Sequence, residues 1–264
     1  MKRRVGFALV IALISISLFS GCTRNTTSNK LSDKKDTLYQ VSTINSLLAG
    51  NYDGFRSVDE LKANGDFGIG TFDTLDGELV MIDNKVYKIK ATGKVEEMGN
   101  SITVPFVAVT YFDKDISTEA TNVNNYDSLQ QELDKLIENK DLFYAIRIDG
   151  TFKYLKARSV PKQEKPYPVL SEVTKDQPTF EFTNITGSLI GFWCPAYVGG
   201  INVPGYHLHF ISEDRTKGGH LLEVSIDKAS VYVDKTDAFN MDLPQLSVQG
   251  DFSDMEQEIN KVEK

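Results

Sequence analysis

Cysteine is almost missing from this chain: Cys22 and Cys194 are the two that its 264 residues contain. Cys22 falls at the end of an N-terminal export signal, so no intrachain disulfide can brace the mature protein and an apolar core has to hold it. Cys194 reads as a small buried hydrophobe. A basic stripe with interleaved aromatics is missing too. The 29 Lys and Arg are scattered among 37 Asp and Glu, for a formal net charge of −8, which argues against a phosphate-tracking surface and hence against nucleic acid. The longest apolar run, Val5 to Phe19, is shorter than the roughly 20 residues a membrane-spanning helix needs. No helical His-Glu-x-x-His pattern occurs, which removes the usual signature of a zinc hydrolase that works through metal-bound hydroxide with Glu213 or Glu223 as base.

What is present is globular composition, 41% hydrophobic and 10% aromatic, enough for a sizeable core in one large domain or two smaller ones. Residues 1–22 form a signal peptide of lipoprotein type: Met-Lys-Arg-Arg, an apolar core, then Leu18-Phe19-Ser20-Gly21-Cys22, which is similar to a lipobox with Cys22 as the lipidated residue. The protein is therefore expected outside the cytoplasmic membrane, anchored by lipid or secreted, with no other membrane contact. Residues 23–36, rich in Thr, Asn, Ser, Lys and Asp, bury too little to order and are expected to be a flexible tether.

Order is expected to begin near Thr37, where Leu38, Val41, Ile44, Leu47 and Leu48 recur at helical spacing. Ser57 to Lys62 resembles a capped helical turn, and Glu78 to Ile82 with Val86 to Ile89 reads as a meander around Asp83-Asn84-Lys85. A strand over 102–112, a helix over 127–139 behind an aspartate cap, and strands on either side of Asp149-Gly150 follow. The Pro- and Lys-rich stretch from Val160 to Gln177 suits a connection, which puts a boundary near 161. Thr179 to Asp234 is mostly strand-like and Asp251 to Lys264 looks helical. The predicted fold is α+β, with two β-sheet-rich subdomains at 37–160 and 161–264 and few helices, the second carrying the metal site.

That site rests on the only three histidines, His207, His209 and His220, which fall within one short β-rich stretch. In Tyr206-His207-Leu208-His209-Phe210 the two-residue period sends both imidazoles to one face and the apolar side chains to the other. The polar, glycine-containing segment after Ile211 can turn the chain into a hairpin that brings His220 beside them. Three nitrogens suit a divalent metal and leave a position open, as in catalytic rather than structural zinc, although imidazole also suits iron, manganese and copper. His-x-His with Glu213 four residues on resembles the first motif of cupins, but no later histidine follows His220.

A longer resemblance covers nearly all of the chain after the tether. Gly191-Phe192-Trp193-Cys194-Pro195-Ala196-Tyr197, Gly205-Tyr206-His207-Leu208-His209-Phe210 and Gly218-Gly219-His220 resemble acetolactate decarboxylase. So do Gly70-Thr71-Phe72-Asp73, Leu75-Asp76-Gly77-Glu78, Tyr144 to Gly150 and Lys156-Ala157-Arg158-Ser159. The resemblance implies a zinc-dependent carboxy-lyase that converts 2-acetolactate to acetoin and carbon dioxide. Zinc held by His207, His209 and His220 would stabilise an enediolate as a Lewis acid, followed by stereospecific protonation. It further implies catalytic roles for Glu78 and Arg158, with Arg158 and Thr71 binding substrate, and a third catalytic carboxylate from the tail, where Glu263 is favoured over Glu256 and Glu258. A homodimer is implied as well. Read without any relative, Glu78 is a carboxylate after an Asp-Gly turn and Arg158 an arginine at a strand end, and both would belong on solvated surface. The alternative function is an exported metal- or ligand-binding lipoprotein without catalysis.

Overall fold

A computed structural model describes residues 35–245 and 255–263. The expected signal peptide, Cys22 and nearly all of the tether lie outside these residues. In chain order the strands are β1 (Thr37–Val41), β2 (Arg56–Ser57), β3 (Phe67–Thr71), β4 (Glu78–Ile82), β5 (Lys85–Ile89), β6 (Val95–Glu97) and β7 (Thr103–Val104). They continue with β8 (Phe106–Thr110), β9 (Ile116–Val123), β10 (Phe143–Arg158), β11 (Thr179–Cys194), β12 (Gly205–Ser212), β13 (Gly218–Thr236) and β14 (Ala238–Asp242). The helices are short: α1 (Ile44–Leu48), α2 (Val58–Lys62), α3 (Tyr126–Asp134), α4 (Leu170–Val173) and α5 (Met255–Glu263). None among the described residues is long and apolar enough to cross a membrane.

The fold is α+β and is built on two sheets. One runs β14-β1-β8-β3-β4-β5-β6, antiparallel throughout except that β14 lies parallel to β1. The other runs β10-β11-β12-β13-β9, and because β10 also pairs with β13 over most of its length, it curls back on itself. The sheets do not change over at residue 161, since β9 and β10 pair with strands that follow the Pro-rich segment and β14 returns to the first sheet. Pairing partners across a sheet are chosen by register and curvature, which a change in local composition does not report.

Both faces of the first sheet are covered. From β4, Val80 and Ile82 meet Ala145, Ile190 and Phe192 of the second sheet, while Leu79 and Met81 meet Val58 and Leu61 from the α2 segment. That double burial is why the strand reads Leu-Val-Met-Ile with no polar alternation. The inside of the curled sheet is filled by Ile146, Ile148, Phe152, Leu155 and Phe210, and Leu129 and Leu133 of α3 are buried in the same cluster. With each such side chain contributing about 1.5–3 kcal/mol on burial, this core stands in for the missing disulfides. Cys194, 1% exposed between the sheets, is part of it.

Ser57 and Glu60 form the expected capping box. The helical spacing from Leu38 to Leu48 splits into β1 and α1, because Ser42 turns the chain at φ +63° and Thr43 caps the helix through its hydroxyl. Helix α3 is capped by Asn125 rather than by Asp127. At Asp149-Gly150 there is no turn. β10 runs straight through, paired on both sides, and Gly150 serves close approach: a Cβ there would sit 2.8 Å from that of Ala229.

One buried charge has consequences for stability. Asp234 on β13 is fully buried; one carboxylate oxygen accepts from the Asp113 N–H at 3.1 Å and the other has no partner among the described residues. Burial, helped by the nearby carboxylates of Asp115, Asp36 and Asp113, pushes it up to about 8. Its folded pKa lies above its unfolded value of about 3.9, so stability from this group is full at acid pH and lost as pH rises toward 8. Asp234→Asn is therefore expected to melt several degrees above the native protein at pH 8 and close to it at pH 4, measured by thermal unfolding across pH.

Candidate metal centre

The turn at residues 213–217 joins β12 to β13, closed by the Ser212 N–H donating to the Lys217 carbonyl at 2.9 Å. Its register sets His209 directly opposite His220, and His220 is in turn the partner of Arg158 on β10. His209, His220 and Arg158 thus stand side by side across three strands. His207 shares their face through the period of β12, while Leu208 and Phe210 point into the curled sheet. On the other side, β11 carries Gly191 opposite Leu208, between the two histidines, and a Cβ there would lie 1.9 Å from the His207 carbonyl oxygen. Only glycine lets the strands close to this distance.

The first sheet supplies the facing side. Thr71 and Glu78 are partners at the ends of β3 and β4. Gly77, at φ +89°, makes the turn into β4, and the Thr71 hydroxyl donates to the Gly77 carbonyl at 2.8 Å. Next to it the Asp76 carboxylate meets the Lys88 ammonium at 2.6 Å, which fixes the turn from the β5 side. The Leu79 carbonyl lies 2.9 Å from His209 Nδ1; since a carbonyl can only accept, Nδ1 carries the proton and the Nε2 lone pair faces inward.

The three ring nitrogens converge. His207 Nε2 is 3.2 Å from His209 Nε2 and 3.2 Å from His220 Nδ1. Two ligands about 2.1 Å from one ion in tetrahedral array are about 3.4 Å apart, so this donor set fits a single divalent metal. All three rings are held neutral. Burial drives His207 down to about 3 and His209 and His220 well below their ordinary value, with the Arg158 cation adding to each. A neutral imidazole is the form that offers a lone pair to a metal.

Two carboxyls flank the triad. Glu78 Oε2 is 3.6 Å from His209 Nε2, and Glu263 Oε2 is 3.6 Å from His207 Nε2 and 3.7 Å from His220 Nε2. Glu263 gets there because Ile259, Val262 and Glu263 share one face of α5, at intervals of three and four residues. Ile259 and Val262 are buried on the protein while Glu258 pairs with Lys261 away from the site. The Glu256 side chain lies outside the described residues. Arg158 links both carboxylate-bearing elements: Nη1 donates to Glu78 at 3.1 Å and Nη2 to the Val262 carbonyl at 2.6 Å, while the buried Nε–H has no partner among the described residues. Burial pushes Glu78 up to about 7, against the Arg158 cation and with the charge of Glu263. Glu263 is raised to about 7 by burial, again opposed by Arg158.

Glu78 and Arg158 are 6% and 4% exposed, which overturns the solvated placement that their local sequence suggests. A narrow cleft opens on the site, with Thr71 in its lining and an apolar side made by Ile44, Leu47, Leu75, Phe106, Val160 and Leu170. Nothing in the local sequence marks these apolar residues, nor the Leu79 and Val262 carbonyls that orient His209 and Arg158. A backbone carbonyl leaves no mark in a sequence, and a cleft leucine looks like any core leucine.

A pocket that is oily on one side and packed on the other with three bare imidazoles, two carboxyls and a cation defines the class of a protein able to hold a divalent metal in a buried site. Comparison with known proteins gives the family. The alpha-acetolactate decarboxylase family model matches residues 38–257. Alpha-acetolactate decarboxylases of Methanosarcina mazei and Brevibacillus brevis are each 47% identical to this chain, over 87% and 80% of it and 81% and 74% of their own lengths. The crystal structure of alpha-acetolactate decarboxylase from Bacillus subtilis strain 168 superposes with a TM-score of 0.84 at 39% identity, covering 86% of this chain and 99% of that one. The chain belongs to the alpha-acetolactate decarboxylase family, enzymes of the carboxy-lyase class. The alternative of a binding lipoprotein without catalysis draws no support from these matches.

Because Gly191 sets the approach of β11 to the histidine strand, Gly191→Ala is expected to cost more than about 3 kcal/mol in denaturant unfolding. It should also weaken metal retention, read by metal analysis after dialysis of the folded fraction.

Proposed function

We propose that this protein decarboxylates 2-acetolactate (2-hydroxy-2-methyl-3-oxobutanoate) to acetoin and carbon dioxide with zinc held by His207, His209 and His220. The observation that carries the reading is the convergence of three neutral imidazole nitrogens beside Arg158, Glu78 and Glu263 in a chain of this family. Bound zinc supplies Lewis acidity for the negative charge that develops on the substrate oxygens as carbon dioxide leaves.

The chain's own groups do the rest. Arg158 has one buried N–H without a partner among the described residues and orients the substrate carboxylate through it. Its other two nitrogens are tied to Glu78 and the Val262 carbonyl, so the guanidinium is positioned without offering its full fork. A carboxylate held too tightly would resist leaving, because only interactions stronger in the transition state than in the ground state speed the reaction. The carboxyl of Glu78, beside His209, or of Glu263, beside His207 and His220, delivers a proton to one face of the enediolate, which makes a single acetoin enantiomer. Thr71 holds the turn before Glu78 and contributes to the substrate-facing lining. Burial of the whole set excludes water from the carbanionic species.

The test is metal content and turnover on one preparation. Purified protein should hold about one zinc per chain, lose acetoin formation on chelation and recover it when zinc is returned. His207→Ala and His209→Ala should each lose the metal and more than about a hundredfold of activity; bound zinc and undiminished turnover in either would sink the reading. Glu78→Gln and Glu263→Gln separate the two carboxyls, since the proton donor is the one whose loss lowers the enantiomeric purity of the acetoin. Export with lipid attached at Cys22 is part of the same proposal, supported by the basic, apolar and small-residue pattern of residues 1–22. Cys22→Ser should move the protein from the membrane fraction to the soluble one.

A further inference from the structure

Between Thr71 and Glu78 the chain makes a short loop whose middle is strained. Thr74 has φ +63° and ψ +21°, and Leu75 has φ +55°. Two consecutive residues with full side chains thus occupy the left-handed region, which a β-branched residue and a leucine rarely adopt. Such angles persist only where the surroundings over-determine them. Here they are clamped from several directions. The Thr74 N–H donates to the Tyr52 carbonyl at 2.7 Å and the Gln163 N–H donates to the Thr74 carbonyl at 2.8 Å. The Gly54 N–H donates to the Asp73 carboxylate at 2.7 Å, and the Gly77 N–H to the Leu75 carbonyl at 2.9 Å.

Glycine would take these angles without penalty. A glycine at 75, however, would leave no side chain, and it is the Leu75 side chain that the strained backbone turns inward, 2% exposed, into the lining of the cleft. The other apolar lining residues sit on helices, a strand or a connection without positive φ. Leu75 alone among them cannot withdraw without undoing the clamp, and it lies three residues from Glu78.

We propose that Leu75 is the specificity-determining residue of the cleft: a rigid wall that limits the size of the alkyl group on the carbon bearing the departing carboxylate. This rests on reading the cleft as the acetolactate site. With the carboxylate toward Arg158 and the two oxygens toward the imidazoles, the alkyl groups are what remains to face the apolar side. A wall that can yield accepts a longer group; one fixed by its backbone does not.

The test compares kcat/KM for acetolactate with that for the homologue carrying propyl in place of the 2-methyl group, both followed by release of carbon dioxide from the zinc-loaded protein. The ratio of the two is independent of the fraction of enzyme folded, so a merely structural role does not move it. Leu75→Ala is expected to raise the homologue-to-parent ratio about tenfold or more. Leu75→Met, which keeps volume and fold while replacing a branched wall by a flexible chain, should raise it severalfold. Leu170→Ala, from the helical part of the lining, should change it far less. A ratio within about twofold of native in both Leu75 variants overturns the proposal. A zinc-loaded native protein that releases no carbon dioxide from acetolactate overturns the reading of the cleft and this proposal with it.

Discussion

Three imidazoles removed from water between two sheets are the constraint on which the rest of this molecule depends. Burying polar rings without partners is costly, and charging them would be costlier still. The structure meets this by keeping all three neutral and close together, with one proton of His209 given to the Leu79 carbonyl. The same dry surroundings raise both flanking carboxyls toward neutrality. A guanidinium that cannot lose its proton sits among them and sets the balance, lowering the carboxyls and the imidazoles together. A centre so arranged favours a dication, which would supply the charge that the buried carboxyls lack.

The sheets exist in a form that permits this. A curled sheet brings β10, β12 and β13 side by side at one end, so that residues 158, 207, 209 and 220 share a face. The other sheet lays Thr71 and Glu78 against them. Packing between the sheets is apolar and continuous elsewhere, through Val80, Ile82, Ala145, Ile190 and Phe192. The polar site is therefore a local exception set into a hydrophobic interface, and every polar group in it has to be satisfied by its neighbours or by what binds there. The Nε–H of Arg158 has no partner among the described residues.

The last helix closes the arrangement with two apolar side chains and one carboxylate. Ile259 and Val262 dock among Ile44, Leu48, Leu170 and neighbouring side chains, and the residue that follows them is carried to the triad as a result. The Val262 carbonyl at the same time takes an N–H of Arg158. Apolar docking, carboxylate placement and guanidinium orientation are thus a single event. On the opposite side a strained loop performs a similar service for Leu75 and Glu78, where backbone hydrogen bonds rather than apolar contacts hold the chain in place.

The sequence by itself determined a good deal, wherever a signal is local and periodic. Alternation in Tyr206 to Phe210 put two histidines on one face, the polar stretch after Ile211 announced the hairpin, and Ser57 with Glu60 announced a capped helix. Those patterns work because side-chain direction and capping are fixed by a few neighbouring residues. The resemblance to a family singled out Glu78 and Arg158 where local pattern pointed to solvent. What only the tertiary structure decided is which distant surfaces meet. It made Asp149-Gly150 the middle of a strand and moved β9 and β10 to the second sheet. It also chose Leu79 and Val262 as the carbonyl partners of His209 and Arg158, and bent Thr74 and Leu75 into the wall of a cleft. Each of these depends on contacts between residues tens of positions apart, and chain entropy leaves such pairings open until the sheets close and burial selects among them.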